Sequence, residues 1–486
     1  MLATIKHIVV LMLENRSFDQ MLGFLYPGNV SPAGHAFEGL TGNETNPDGQ
    51  GNPVQVFPIT ALKENAYYTP GADPGEDFQD NNIQLYGTSS PGANALASST
   101  GFVVNYEAAL ASDTKKGKDW TPLPGTVASD IMGIFTPQML PVLSGLARGF
   151  AVCDHWFSSV PTMTMPNRAF ACAATSQGHM DDKSHSFTVP SIFGLLTANG
   201  VSWVGYGYNE EPLFRGNFPD TLSAPDSNFG TFADFKQAAS NGTLPSYAFL
   251  EPEWSSTGNS QHPNYDVALG EKYIYDVYYA PRNGPDWNET LLIVTYDEHG
   301  GNFDHVPPPR GAVPPDDTPG EFGFDFTRFG VRVPGVLVSP LIAPGAVFRV
   351  PPGATPVDHT SILKTLEMRW NLPSLTARDR AAPDFGGVLT LADARTDDPL
   401  AGVVVPTSPG PKFHKVTDPP SPLQLIHAEL VSRLPVPGDS GSFKHLMTPL
   451  ATSQDATAYI HDRIARWRKS RTHSPAPTAA AKARAK

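Results

Sequence analysis

Residues 291–309 read LLIVTYDEHGGNFDHVPPP. An apolar run stops at Asp297-Glu298-His299, two glycines follow, and Asp304-His305 precede three prolines. A second acid stands in a similar place: IKHIVVLML (5–13) ends at Glu14-Asn15. Carboxylates packed together repel one another and take up protons. A divalent cation removes that cost. Glu14, Asn15, Asp297 and Glu298 offer four oxygen-bearing side chains, a set suited to Ca²⁺, Mg²⁺ or Mn²⁺. His299 or His305 would draw such a site toward zinc or iron. Gly300 and Gly301 allow a sharp turn beneath it. Asp304 and His305 are placed to orient the loop or to touch substrate.

Two further stretches carry candidate groups. In FSSVPTMTMPNRAFACAAT (157–175), Pro166 suits the first turn of a helix, which puts Thr164 at the helix start. A hydroxyl there faces free N–H groups and the positive dipole end, where an anion is favoured. Thr164 is therefore a candidate nucleophile toward phosphate or a simple helix cap, with Thr162 the neighbouring alternative. In NSQHPNYDVALGEKY (259–273), His262 precedes a helix, and a loop histidine can protonate a leaving alkoxide. His359, in VDHTSILKTLE, reads as a helix start rather than a ligand.

The elements that must hold these groups alternate. Strand-like runs at 5–13, 291–296 and 332–340 are apolar almost throughout, the mark of strands covered on both faces. Helical patterns lie at 136–151, 267–281 and 359–370. Ser17 and Gln20 have capping-box spacing after the first strand. Alternation of this kind predicts an α/β fold, a three-layer sandwich on a central, mainly parallel sheet. Ligands then bind beyond the carboxyl ends of the strands, where Glu14, Asp297 and Glu298 stand. Long Gly-, Pro-, Asn- and Ser-rich stretches run through 41–104, 205–230 and 305–325. Loops of such length are covers over a site or disordered.

A coarse division follows: a catalytic domain over 1–405 with 41–104 as an insertion covering the site, a helical extension over 406–470, and a disordered basic tail over 471–486. The 486 residues are 40% hydrophobic, ample for a large core. No apolar run is long enough to span a bilayer. The N-terminus lacks a signal-peptide cleavage pattern, so the expected location is cytoplasmic, or secreted if a leader has been removed. Cys153 and Cys172 are too few for a disulfide framework. The net charge of −14 argues against a nucleic-acid partner. Residues 463–486 hold eight Lys or Arg and no acid, so subtracting 8 from −14 leaves −22 on the rest. That end is either a solubilising tail or a surface holding Trp467 and its arginines against anionic lipid.

The order of the segments is more specific than any one of them. ENRSFDQMLG, SSVPTMTMPNR, HPNYDVALGEKYI, VTYDEHGGNFDHVPPP, FGVRVPGVLVSP and DHTSILKTLEMRW together resemble the phosphoesterase family of phospholipases C and acid phosphatases, over about residues 5–380. RVPGVLVSP also looks like the wider alkaline phosphatase and sulfatase superfamily. The resemblance implies one divalent metal ion (Ca, Mg, Mn or Zn) held by Glu14, Asn15, Thr164, Asp297 and Glu298. It also implies Thr164 as nucleophile and His262 as the active-site histidine. Two departures stand out. DPGEDF carries Glu76 where the family has histidine, which makes Glu76, with His305, a candidate substrate contact. SVPTMT lacks the family's glycine before the nucleophile. The expected activity is cleavage of the glycerol-side phosphodiester bond of phospholipids. The alternatives are a broad acid phosphatase acting on small phosphate esters, and an inactive binding protein on the same fold.

Overall fold

The computed structural model describes residues 1–92, 94–113, 121–436 and 450–472. Its centre is an eight-stranded sheet. In chain order the strands are β1 His7–Leu13, β2 Ala151–Cys153, β3 Trp203–Gly207, β4 Phe229–Thr231, β5 Tyr247–Leu250, β6 Thr290–Tyr296, β7 Gly335–Val338 and β8 Ala346–Val347. They lie in the order β8-β2-β7-β6-β1-β5-β3-β4. Only β7 runs against the others, pairing antiparallel with β6 and with β2. The expected α/β fold with a mainly parallel sheet is what the chain adopts.

The two central strands explain why the sequence signal was strong there. Every residue of β6 is buried, as is every residue of β1 after His7. Successive strand residues face opposite sides, so both faces of the sheet are covered. Their parallel register pairs Leu13 with Tyr296. The next residues, Glu14 and Asp297, therefore emerge together at one edge of the sheet.

Five helices place the remaining groups: α1 Phe18–Leu22, α2 Phe78–Tyr86, α3 Phe102–Asp113, α4 Pro141–Gly149 and α5 Thr164–Ala173. Ser17 caps α1 by accepting from Gln20 N at 3.2 Å, as its spacing predicted. Two more helices follow the sheet's later strands, α6 Val267–Arg282 and α7 Thr360–Trp370. The helix expected over 136–151 is shorter, because Pro141 starts it and residues from Ala151 pair as β2. The long stretches are less irregular than expected. Residues 41–104 contain α2 and a small two-stranded ribbon, and 205–230 runs from β3 to β4 of the main sheet.

The C-terminal extension holds α8 Pro422–Ser432 and α9 Ser453–Thr472. Both are packed down. Leu423, Ile426 and Leu430 share a cluster with Met165, Leu213 and Trp254. Trp467 is only 3% exposed and lies 4.3 Å from the Arg215 guanidinium. Arg463 donates to the carbonyls of Val431, Ser432 and Leu434, and Arg468 pairs with Glu211. These side chains close an interior, which corrects the one of the two readings of this end that put Trp467 against lipid. Of the expected tail 471–486, residues 471–472 belong to α9, and 473–486 lie outside the described residues. Among the described residues no helix is long and apolar enough to cross a membrane.

Candidate active site

The strand-end acids are brought together by backbone donors. Asp297 Oδ1 accepts from Asn15 N at 3.0 Å and from Glu298 N at 2.8 Å. Its Oδ2 accepts from Arg168 Nε at 2.8 Å. Arg168 also donates to the carbonyls of Met12 and Leu13, and it lies over the Trp254 ring at 4.5 Å. Arg168 follows Thr164 by four residues on α5, so the two share a helix face. In the sequence, the i,i+4 spacing from Thr164 was the one signal for Arg168.

Thr164 is the first residue of α5, with Met163 in the cap position. Its hydroxyl does not cap the helix. It donates to Asn15 Oδ1 at 3.1 Å. Asn15 Nδ2 donates to Glu76 Oε2 at 2.6 Å. One amide thus links the candidate nucleophile to Glu76. Asn15 sits at φ 56°, a left-handed conformation that Asn tolerates better than most residues. Asn302 Nδ2 holds the Asn15 carbonyl at 3.1 Å.

The glycines serve these contacts. Gly300 has φ +58°, and a Cβ there would meet Asn15 O at 2.3 Å. Gly301 has φ +64°, and a Cβ there would meet Gly75 O at 2.5 Å. The pair therefore lets both Asn15 and the Asp73–Glu76 loop approach.

Negative charge is concentrated and dry. Glu14, Asp297 and Glu298 are buried, as are Asp73 and Glu76. Burial and then the Asp297 charge push the Glu14 and Glu298 carboxyls well above the usual range. Burial, then Asp73, does the same to Glu76. Asp182 joins the group: its Oδ1 accepts from Met165 N at 2.7 Å in the first turn of α5. Burial of its carboxyl raises Asp182 to about 7. Glu14 Oε2 and Glu298 Oε1 are buried without a hydrogen-bond partner. Buried carboxylate oxygens are normally satisfied. Two orphans among mutually repelling acids fit a divalent cation.

His262 lies beside Asp73 and Glu76. Its Nε2 is 3.8 Å from Asp73 Oδ1, and its Nδ1 is 3.0 Å from Pro263 O. Ligand atoms of Asp73, Glu76 and His262 lie within 4.8 Å of one another. Burial holds His262 down to about 3, so its ring is neutral. A carbonyl only accepts, so Nδ1 carries the proton and Nε2 the lone pair. The loop is clamped by Arg16, which donates to the carbonyls of Gln261 at 2.5 Å, His262 at 3.0 Å and Thr69 at 2.7 Å.

Other expected residues have supporting places. His305 is drawn away from the group: its Nδ1 is 2.6 Å from Asp19 Oδ2, beside Asp304 and the buried Arg332. That ion cluster pins the 297–305 loop to α1. His299 Nε2 is paired with Gln84 Oε1 at 2.8 Å. His359 is the cap residue of α7, and its Nε2 reaches Asp297 O at 2.5 Å while Trp156 Nε1 donates to Nδ1 at 3.2 Å. Indole only donates and a carbonyl only accepts, so this histidine is fixed as the Nε2–H tautomer. It braces the main chain under Asp297. Asp73, Asp182 and Arg168 were not singled out from the sequence.

Fold and site define an α/β protein with an acid-rich, water-poor centre at the carboxyl ends of its strands. The chain belongs to the phosphoesterase family, whose sequence pattern matches residues 5–373. It is 38% identical over 416 residues to Non-specific phospholipase C6 of Arabidopsis thaliana, covering 82% of this chain and 74% of that protein. It is 30% identical over 448 residues to Phospholipase C A of Mycobacterium tuberculosis, covering 80% and 78%. Among solved structures, a protein in the alkaline phosphatase superfamily from Vibrio parahaemolyticus aligns with TM-score 0.31 and 13% identity, over 62% of this chain and 81% of that one.

Proposed function

We propose that the chain is a metal-dependent phospholipase C that cleaves the glycerol-side phosphodiester bond of phospholipids through Thr164. One observation carries the reading: the Thr164 hydroxyl is bonded to Asn15 within a group of acids that leaves Glu14 Oε2 and Glu298 Oε1 unpartnered. The matched relatives, named as phospholipases C, support the substrate class. Glu14, Asn15, Thr164, Asp297 and Glu298 would hold the ion. When bound, it would supply positive charge that lowers the pKa of the threonine hydroxyl and polarises a phosphoryl oxygen.

The chain's own groups do the rest. Thr164 Oγ1 attacks phosphorus as the bond to the glycerol oxygen breaks. The hydroxyl proton passes to Asp182, which is not among the ion's ligands, already accepts from Met165 N at the start of the same helix and has its proton affinity raised by burial. The departing alkoxide takes a proton from the Asp73–Glu76–His262 group. His262 is neutral in the free protein, and the arriving phosphate charge favours its protonation, with Glu76 as the nearby proton source. Diacylglycerol leaves, and water then releases the phosphorylated head group from Thr164. Arg168 limits repulsion by fixing Asp297.

Glu76 favours a second reading, a phosphomonoesterase, because a carboxyl in place of histidine changes the wall that meets the leaving group. Phosphatidylcholine micelles and p-nitrophenyl phosphate, assayed side by side, separate the two. Release of diacylglycerol is expected. Turnover of the small ester alone would replace the first reading with the second.

A further inference from the structure

Asp73 and His262 come from segments far apart in sequence, and a third segment holds both. Residues 401–420 lie beyond the 5–373 stretch that the family pattern matches, and they lead to α8. They form no helix or strand. From Ser408 to His414 this chain runs as a strap over the segments at 64–73 and 261–266.

Each of its contacts falls within a few residues of His262 or Asp73, or on the chain leading to them. His414 Nε2 is 2.8 Å from Asn264 O. A carbonyl only accepts, so this nitrogen carries the proton and donates. Asn264 has φ 61°, and the bond holds its carbonyl in that left-handed turn. The His414 ring stands edge-on to Tyr265 with centroids 5.4 Å apart, and the Tyr265 ring lies 4.9 Å from that of His262. Tyr265 N–H donates to His262 O at 3.0 Å. On the Asp73 side, Phe413 packs edge-on to Tyr68 at 5.0 Å. A Cβ at Gly410 would meet Glu64 O at 2.4 Å, so the strap runs close against the chain leading to Tyr68. Asp266 joins the two sides: its Oδ1 accepts from Ser408 Oγ at 2.5 Å and its Oδ2 from Tyr68 OH at 3.4 Å. The buried Arg16 ties the same segments from the interior, at Thr69, Gln261 and His262. Ser408, Phe413 and His414 are half-buried and close them from the outer side.

We infer, on the reading of His262 and Asp73 as the leaving-group side of the reaction, that the 408–414 strap sets the spacing of these two residues, with His414 as a positioning residue. His262 Nε2 and Asp73 Oδ1 are 3.8 Å apart, too far to hold each other by a hydrogen bond. Their spacing therefore depends on what holds the two backbones. His414 acts through Asn264 and Tyr265, the immediate neighbours of the His262-Pro263 turn. Protonation of a leaving oxygen needs the donor within hydrogen-bond reach, and a displacement of about 1 Å can cost about a hundredfold in rate. An interaction that only aims the proton donor shows in kcat more than in KM.

The test uses the full chain and two variants. His414→Phe keeps a ring against Tyr265 and loses the N–H, whereas His414→Gln keeps an N–H donor at about the same reach. The ester is whichever of phosphatidylcholine and p-nitrophenyl phosphate the unaltered protein turns over. In His414→Phe, kcat should fall about tenfold or more with KM changed less than about twofold, and His414→Gln should recover most of the loss. Hydrogen exchange without substrate gives the second readout: exchange at 261–266 should speed up in His414→Phe and stay near the unaltered rate in His414→Gln. Unchanged exchange in His414→Phe would overturn the strap's hold on His262. Faster exchange with unchanged kcat, or equal losses of kcat in both variants, would overturn the positioning role. If the unaltered protein turns over neither ester, the phosphoesterase reading fails by itself, and exchange still decides whether His414 holds the His262 turn.

Discussion

Asn15 Nδ2 donates to Glu76 Oε2 at 2.6 Å, while the Oδ1 of the same amide accepts from Thr164. Glu76 therefore touches the nucleophile's own hydrogen-bond partner, and a change at 76 is felt by the reaction. Glu76→His should change the ratio of phosphodiester to phosphomonoester turnover by about tenfold, equivalent to about 1.4 kcal/mol of transition-state preference. Its melting temperature should hold or rise, because a buried, repelled carboxyl has gone. Parallel kcat/KM values on the two substrate classes check this. An unchanged ratio would remove Glu76 from specificity.

Thr164→Ala tests the nucleophile. The hydroxyl makes one hydrogen bond, to Asn15, so stability should fall by only about 1 kcal/mol. Turnover should fall by at least about a thousandfold. Thr164→Ser, which keeps the oxygen, should retain a measurable rate. Near-normal activity in Thr164→Ala would refute the mechanism.

The legible and illegible parts of this chain differ for physical reasons. The runs 5–13 and 291–296 announced strands because they are buried on both faces, and a continuous apolar run is the signature of that. β2, β4 and β8 have three residues or two, too few for any period to show. Glu14 and Asp297 were readable as strand-end acids. Their being side by side depends on the Leu13–Tyr296 register, which no local pattern encodes. Asp182 and Asp73 come to the site on loops whose approach depends on glycines and on long-range contacts. Trp467 could be read as a lipid anchor, one of two readings of that end, because basic residues surround it in sequence. In the fold Arg215 and Glu211, more than 250 positions earlier, receive that face of α9.

Gly300 is placed so closely that a single methyl group should be felt. Its φ of +58° costs an L-residue about 1–2 kcal/mol, and the added Cβ would also collide with Asn15 O at 2.3 Å. Gly300→Ala should lower stability by at least that amount and reduce activity further, because Asn15 must move. Urea denaturation and kcat together check it. Wild-type stability and rate would mean that the loop relaxes without disturbing Asn15.

The strand-end acids predict a thermal response to metal. Adding the catalytic ion should raise the melting temperature by relieving repulsion among Glu14, Asp297 and Glu298. At a hundredfold excess over Kd the stabilisation is about 2.7 kcal/mol. Glu298→Gln should weaken this response while leaving the metal-free protein as stable or more so, since burial and Asp297 already disfavour the Glu298 charge. Melting curves with and without Ca²⁺, Mg²⁺, Mn²⁺ and Zn²⁺ also identify the ion. A full response in Glu298→Gln would remove that residue from the ligand set.

Glu271 lies outside this group and gives a cleaner pH prediction. It is fully buried on α6, and its carboxyl accepts from Val142 N at 2.7 Å and Leu143 N at 3.0 Å. These are first-turn donors of α4 that have no acceptor within their own helix, so Glu271 supplies one. Burial outweighs the two bonds and raises the carboxyl to about 8. A raised acid pKa means that the folded chain holds a proton that the unfolded chain has lost. This contribution to stability is full below the unfolded value near 4.5, and it is lost as pH rises toward 8. The slope is on the order of 1 kcal/mol per pH unit within that window. Glu271→Gln cannot titrate, so the difference in stability between it and the unaltered protein should shift in favour of Gln from pH 5 to pH 8. Urea midpoints across that range check it. Parallel curves for the two proteins would mean that the two helix N–H groups keep Glu271 ionised despite its burial.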